Sequence, residues 1–187
     1  MKTERLEIPD VILMQPARHG DARGFFSEVW REDALVELGV GGRFVQDNHA
    51  LSAERGVLRG LHYQTPPHAQ AKLVRCTRGR VLDVAVDIRA GSPSFGRWVS
   101  AELSASNWRQ IWVPAGFAHG YLTLEADSEV LYKVTAYYNP AHEAGISWDD
   151  PDIAIDWGLP AAEITLSPRD RAHPRLADIT TAFEFAR

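Results

Sequence analysis

"AKLVRCTRGRVLDVAVDIR", residues 71–89, decides the fold. Two runs rich in β-branched residues are broken by Arg78-Gly79, the punctuation of a turn between strands. Taken at period two, "RVLDVAVDI" sets Leu82, Val84, Val86 and Ile88 on one face, all apolar, and Val81, Asp83, Ala85 and Asp87 on the other, smaller and acidic. The wholly apolar set is expected to pack between sheets. The same alternation in "QAKLVRC" separates Lys72, Val74 and Cys76 from Ala71, Leu73 and Arg75. If Lys72 and Asp83 both line the inside of a small barrel, they pair across adjacent strands. The plainer alternative is two solvated surface charges.

Outward from this stretch, "RWVSAEL", "RQIWVP", "GYLTLEA" and "SEVLYKVTAYY" continue the pattern, separated by "AGSPSFG", "SASN" and "PAGF". Short strands at close, regular spacing predict an all-β sandwich or barrel. Helical periodicity is confined to "REDALVELG", where Ala34, Leu35 and Leu38 share a face and Gly39 can end the helix. A second short helix is expected after "SPRDRAH", and a brief strand at "IAIDW". No repeat or linker divides the chain, so residues 1–187 are expected to form one domain.

Composition narrows the function classes. Apolar residues at 45% and charged residues at 24% are ordinary for a globular protein. The opening "MKTERLEIPDVILM" interleaves charges with a short apolar run, which predicts neither a signal peptide nor a membrane span and, by default, cytoplasmic residence. The single Cys76 excludes an internal disulfide and a cysteine-based zinc site, and reads as a small buried hydrophobe. A net charge of -5 argues against a nucleic-acid partner. The charge is uneven: residues 1–93 hold 13 Lys+Arg and 12 Asp+Glu, residues 94–187 hold 7 and 13. Arg23, Arg59 and Lys72 are among the cations of the first half, a weak hint of a small anionic ligand.

Two phrases carry the chemistry. "LRGLHYQTPPHAQAK", Leu58–Lys72, looks like a barrel strand bearing metal ligands, yet Gln64 follows His62 and Lys72 stands where a carboxylate would be needed. In "WVPAGFAHGY", Trp112–Tyr121, Pro114 and Gly116 make a tight turn and His119 enters the next strand. Together the phrases resemble the cupin superfamily. With "GFFSEVW", "QDNHALSAERGVLRGLHYQ", "PAGFAHGY" and "YYNPAHEAGISWDDPDIAIDW", the chain resembles the dTDP-4-dehydrorhamnose 3,5-epimerase family from about residue 5 to about residue 175. The resemblance implies a cupin-type jelly-roll barrel of two antiparallel sheets with a few short helices, in agreement with the strand pattern.

The residues allow their own reading of the chemistry. His62 and His119 could offer two metal ligands, but Gln64 is a poor third and the Lys72 ammonium would repel a divalent cation, so no metal and no cofactor are expected. A histidine base, a fixed positive charge and polar aromatics inside a barrel suit removal of a proton next to a ketone, with His62 as base and Lys72 stabilising the enolate oxygen. Inversion also needs an acid on the opposite face. The resemblance places Tyr132 there and assigns Asp170, in "LSPRD", to orient His62. On the residues alone, Tyr132 reads more readily as a barrel tyrosine with a backbone partner, and Asp170 as an early helix residue favoured by the dipole.

By the same resemblance Arg23, Glu28, Gln46, Asn48, Arg59, His119, Glu143 and Arg169 contact the nucleotide sugar. Arg169 departs from the lysine the family commonly carries. Arg59 offers the forked geometry that suits a diphosphate. Tyr138, six residues after Tyr132, shares its face if the strand stays regular and could stack on the base or plug the barrel mouth. His19, His49, His68, His142 and His173 sit in loop-like settings and read as solvated. The implied activity is metal-free inversion of carbons 3 and 5 of a dTDP-4-keto-6-deoxy-hexose, by a homodimer whose N-terminal segment carries Arg23 and Glu28 toward the neighbouring site. Rival readings are a single-carbon epimerase or ketoisomerase, a metal-dependent cupin, and a non-catalytic sugar-binding cupin.

Overall fold

The computed structural model describes residues 1–186. Its strands in chain order are β1 (Lys2–Arg5), β2 (Ile12–Gln15), β3 (His19–Asp21), β4 (Gly24–Phe26), β5 (Gln46–Ser52), β6 (Leu58–Gln64), β7 (Lys72–Arg78), β8 (Arg80–Asp87), β9 (Trp98–Ser104), β10 (Gln110–Val113), β11 (Phe117–Thr123), β12 (Ser128–Val134) and β13 (Glu143–Gly145). One short helix, α1 (Glu32–Glu37), and three 3-10 turns complete the regular structure. The helix stops as expected: Gly39 takes φ 77° and its N–H reaches the Val36 carbonyl at 3.0 Å.

A six-stranded sheet, β1-β2-β10-β7-β12-β5, faces a five-stranded sheet, β13-β6-β11-β8-β9, and all the strand pairs are antiparallel. This is the expected all-β jelly-roll barrel. The hairpin β3–β4 stands apart, with Phe25 57% and Phe26 71% exposed. Among the described residues no helix is long and apolar enough to cross a membrane.

The faces of β8 differ from the period-two expectation. Val81 and Ala85 pack between the sheets with Val74, Cys76, Phe117, Tyr121 and Val130, and Asp83 is fully buried. Val84, Val86 and Ile88 turn outward and are covered by residues of the C-terminal third, including Ile146, Trp157, Ile164, Leu166 and Phe183. Both faces of the sheet are therefore dry. The continuous apolar face meets the outer layer, whereas the inner face, which must also hold a polar site, is the mixed one. On β7 the set Lys72, Val74 and Cys76 does face inward, and Leu73 turns out beneath α1 with Leu35 and Val40.

The C-terminal layer is stitched on by backbone bridges, Val57 to Thr165 and Ala90 to Glu184, rather than by strands. The brief strand expected at "IAIDW" does not form. Ile153 and Trp157 are buried there as apolar anchors, and the Trp157 indole N–H donates to the Trp148 carbonyl at 2.9 Å. In place of the helix expected after "SPRDRAH" only a 3-10 turn forms, Leu176–Asp178, with another, Asp170–Ala172, inside the phrase.

Candidate active site

A cavity of about 230 Å³ opens into the barrel and is lined by Gln46, Asn48, His62, Tyr63, Gln64, Gln70, Lys72, Tyr132, Tyr138 and Glu143. Four elements supply its chemistry: β6 brings His62, β7 Lys72, β12 Tyr132 and β5 Gln46 with Asn48. A bulge sets the phase of β6. His119 pairs with His62 but Tyr121 pairs with Arg59, so β6 carries one extra residue at Gly60-Leu61. Leu58 and Leu61 consequently both point to the outer layer, while Arg59 and His62 both turn to the barrel side. The bulge requires glycine on both strands, since a Cβ at Gly60 would lie 2.6 Å from the Gly120 Cα.

His62 Nε2 lies 2.6 Å from Asp170 Oδ1. A carboxylate only accepts, so Nε2 carries the hydrogen and the ring's lone pair resides on Nδ1. Asp170 is 5% exposed. Burial works to raise its pKa, but hydrogen bonding and charge attraction from His62, together with the Ser167 hydroxyl, hold it below the usual carboxylate range.

Lys72 is 8% exposed and donates to the His62 carbonyl at 3.3 Å and to His119 Nδ1 at 3.5 Å. The other ring nitrogen of His119 meets both Asp83 oxygens at 3.0 Å. The expected Lys72–Asp83 ion pair is thus replaced by a relay, because β7 and β8 belong to opposite sheets and His119 fills the space between them. Burial pushes the Lys72 pKa down to about 8, with the Asp83 and Glu143 charges opposing. His119 is lowered as well, by burial first and then by Lys72. Two of the three ammonium donors are occupied by protein, and one is left for a ligand.

Tyr132 projects toward this group from β12. Burial raises its pKa, the Arg59 charge lowers it and Glu143 raises it. Arg59 is held by the Ser52 hydroxyl and the Leu51 carbonyl, both at 3.2 Å. The rim is a polar cluster: the Tyr138 hydroxyl and Arg169 both donate to Glu143 Oε2, Arg169 at 2.8 Å. Gln46 accepts from the Tyr138 N–H at 3.0 Å and donates to Asn48 at 2.9 Å. Tyr138 does not arrive by strand regularity, because β12 ends at Val134; a loop carries it back. Gln64 braces that loop, donating to the His68 and Tyr137 carbonyls and accepting from the Asn139 N–H. Gln64 is therefore committed to backbone.

Arg23 and Glu28 lie away from the cavity. Arg23 is exposed on the β3–β4 hairpin and bonded to Asp21 at 2.6 Å, and Glu28 contacts Arg31 at 3.5 Å. His173 is a correction: it is enclosed rather than solvated, 10% exposed at the side chain, and its ring meets that of His62 edge to face at 5.4 Å. His49 is also not in a loop but on β5, paired with Glu129 at 3.0 Å. Tyr63, Gln70 and His173 were not signalled as site residues. Alternation along "LRGLHYQ" assigns Tyr63 outward, and "SPRDRAH" places Asp170 and His173 one 3-10 turn apart, a spacing that could have marked the latter.

The donor atoms of His62, Asp170 and His173 fall within 4.8 Å of one another, the spacing a divalent ion could use. Ligands around tetrahedral zinc stand about 3.3 Å apart for bonds near 2.05 Å. At 2.6 Å the His62–Asp170 contact is a hydrogen bond, and the group is arranged as a dyad with a neighbouring imidazole.

A family profile described as dTDP-4-dehydrorhamnose 3,5-epimerase matches residues 5–178. The chain belongs to that family. A Pseudomonas aeruginosa dTDP-4-dehydrorhamnose 3,5-epimerase is 55% identical over 179 residues, 95% of this chain and 97% of the relative. One from Sinorhizobium fredii is 50% identical over 187 residues, 100% of this chain and 95% of the relative. The crystal structure of the Legionella pneumophila dTDP-6-deoxy-D-glucose-3,5-epimerase, in complex with dTDP-4-keto-L-rhamnose, superposes with a TM-score of 0.91 at 47% identity, covering 96% of this chain and 94% of that one. Family membership thus extends over the barrel, the C-terminal layer and the Asp170 turn together.

Proposed function

We propose that this protein is an isomerase that inverts carbons 3 and 5 of a dTDP-4-keto-6-deoxy-hexose, yielding dTDP-4-keto-L-rhamnose, by proton transfer between His62 and Tyr132. The observation that carries the reading is the His62–Asp170 pair at 2.6 Å, placed at the wall of a cavity that also holds Lys72 and Tyr132. His62 Nδ1 takes the proton from the carbon next to the ketone. The C–H electron pair becomes the enolate double bond, and negative charge moves to the carbonyl oxygen. Asp170 offsets the charge of the resulting imidazolium, and the free donor of Lys72 meets the enolate oxygen in a dry setting where such a contact is strong. The Tyr132 O–H returns a proton to the opposite face, and the nearby Arg59 charge eases formation of the phenolate. His119 and Asp83 hold the ammonium in place. The step is redox-neutral and its protons balance once His62 and Tyr132 re-equilibrate with solvent.

Gln46, Asn48, Arg59, Tyr138, Glu143 and Arg169 form the polar rim that would receive the nucleotide. Arg23 and Glu28, on and beside an exposed aromatic hairpin, serve the site of a second copy in a homodimer. Proton NMR in deuterated water tests the reading: the product should carry deuterium at carbons 3 and 5, and His62→Ala should abolish exchange while nucleotide binding persists. Exchange at the normal rate in that variant would refute the assigned base, and deuterium at one carbon alone would make the protein a single-carbon epimerase.

A further inference from the structure

Asp170 is a buried carboxylate with room for a further donor. A carboxylate offers about four lone-pair sites. His62 and the Ser167 hydroxyl are the side chains that hydrogen-bond to it, which leaves acceptor capacity free. Beside it lies a donor in need of an acceptor. His173 Nε2 is buried, has no hydrogen-bond partner, and stands 3.8 Å from Asp170 Oδ1, the same oxygen that His62 uses. Unpartnered buried polar atoms are rare in folded proteins, and this one faces a carboxylate that can accept it.

The surroundings hold His173 there by design of the backbone. Asp170 and His173 are three residues apart around a 3-10 turn, a spacing that stacks their side chains on one side. The ring lies over Gly145, where an added Cβ would come within 2.6 Å of its Cε1 and Nε2 atoms. Gly145 is the residue paired with His62 on the neighbouring strand, so the missing side chain opens the space directly beside the base. The Ser147 N–H, bonded to the Pro174 carbonyl at 2.7 Å, pins the turn to the end of β13. An Nε2 facing a carboxylate, with no other partner, carries its hydrogen toward it.

We propose that His173 is a positioning residue of the proton-abstracting pair, a further donor to Asp170, closing the 3.8 Å gap by a small tilt of its ring so that the carboxylate keeps its aim as His62 gains and loses its proton. This rests on the reading of His62 and Asp170 as the base and its orienter. Burial and the neighbouring His62 lower the His173 pKa, which keeps this imidazole a neutral donor while His62 cycles.

Two substitutions separate donor from shape. His173→Phe keeps an aromatic ring against His62 but removes the donor, whereas His173→Gln keeps a terminal N–H within reach. The expected result is a kcat lowered roughly tenfold or more in the Phe variant, with KM within about twofold, the pattern of a mispositioned reacting group. The Gln variant should recover kcat to within a few-fold, with thermal unfolding similar in both. A Phe variant with normal kcat overturns the proposal, as does an equal loss in Phe and Gln. Should the Phe variant fail to fold, Gly145→Ala serves instead, since its Cβ displaces the ring while keeping it; normal kcat there also overturns the proposal. His62→Ala run alongside identifies the failing premise: if it still exchanges solvent protons, the dyad is wrong, and if it is dead while His173→Phe is normal, only the role of His173 is wrong.

Discussion

Lys72 shows what the site costs at the scale of one residue. A pKa lowered from 10.5 to about 8 by burial means that the folded barrel sheds a proton which the unfolded chain retains between those values. Stability should therefore rise with pH across that window and carry the full cost of the buried charge below it. Lys72→Met should remove a penalty of up to roughly 3 kcal/mol at pH 7 and flatten the rise above pH 8, as read by urea unfolding at several pH values. The same variant should lose about 10²–10³-fold in kcat, the usual loss for removing a donor from a developing oxyanion. In the intact protein kcat/KM should fall as pH climbs through about 8, because the ammonium discharges. Tyr132→Phe tests the opposite face: deuterium should still exchange at a carbon reached by His62, while inverted product falls below detection by NMR. His62 and Lys72 were legible as residue types suited to such chemistry, and Tyr132 only through the family resemblance. His173 was not, because nothing in a loop-like "AHPR" announces that it will be enclosed.

At the scale of elements, the β6 bulge decides which side chains meet. Strict alternation along Leu58–Gln64 separates Arg59 from His62, yet the extra residue at Gly60-Leu61 turns both to the barrel side. Gly60→Ala should force the β6 and β11 backbones apart, since its Cβ would sit 2.6 Å from the Gly120 Cα and the residue has φ 149°. A destabilisation of roughly 2–4 kcal/mol is expected from backbone strain and overpacking. Gly41→Ala, with nothing within 4 Å of its added Cβ, should stay within about 0.5 kcal/mol under the same urea titration. The strands of residues 71–134 were readable because period two and turn residues are local signals. The bulge was not, since it exists only as a register between two strands, and neither was the arrival of Tyr138, which depends on Gln64 holding a loop.

For the molecule as a whole, a C-terminal layer flanks the barrel and a hairpin projects from it. The C-terminal layer covers the outward face of β8 and also delivers Asp170, so the packing that dries the sheet brings a buried carboxylate to His62. The exposed hairpin with Phe25 and Phe26 is the complementary case, an apolar surface left uncovered within one chain. If Arg23 serves a partner's site, Arg23→Ala and His62→Ala should each be impaired alone, and refolded mixtures should recover about a quarter of normal activity, because half of the random dimers hold one complete site. Recovery no greater than the two variants measured separately would show that each chain acts alone.

By itself the sequence determined that the chain would form short strands closed into a barrel, and it singled out His62 and Lys72 as a candidate base and a candidate fixed charge, with Tyr132 added only by the family resemblance. Those properties follow from alternation, turn chemistry and side-chain type, all of which act over a few residues. Tertiary structure alone decided which face of β8 looks inward, that His119 stands between Lys72 and Asp83, and that His173 lies beside the dyad. Each of these depends on contacts between segments distant in sequence, where burial and the limited number of donors select one arrangement from several that the local pattern allows.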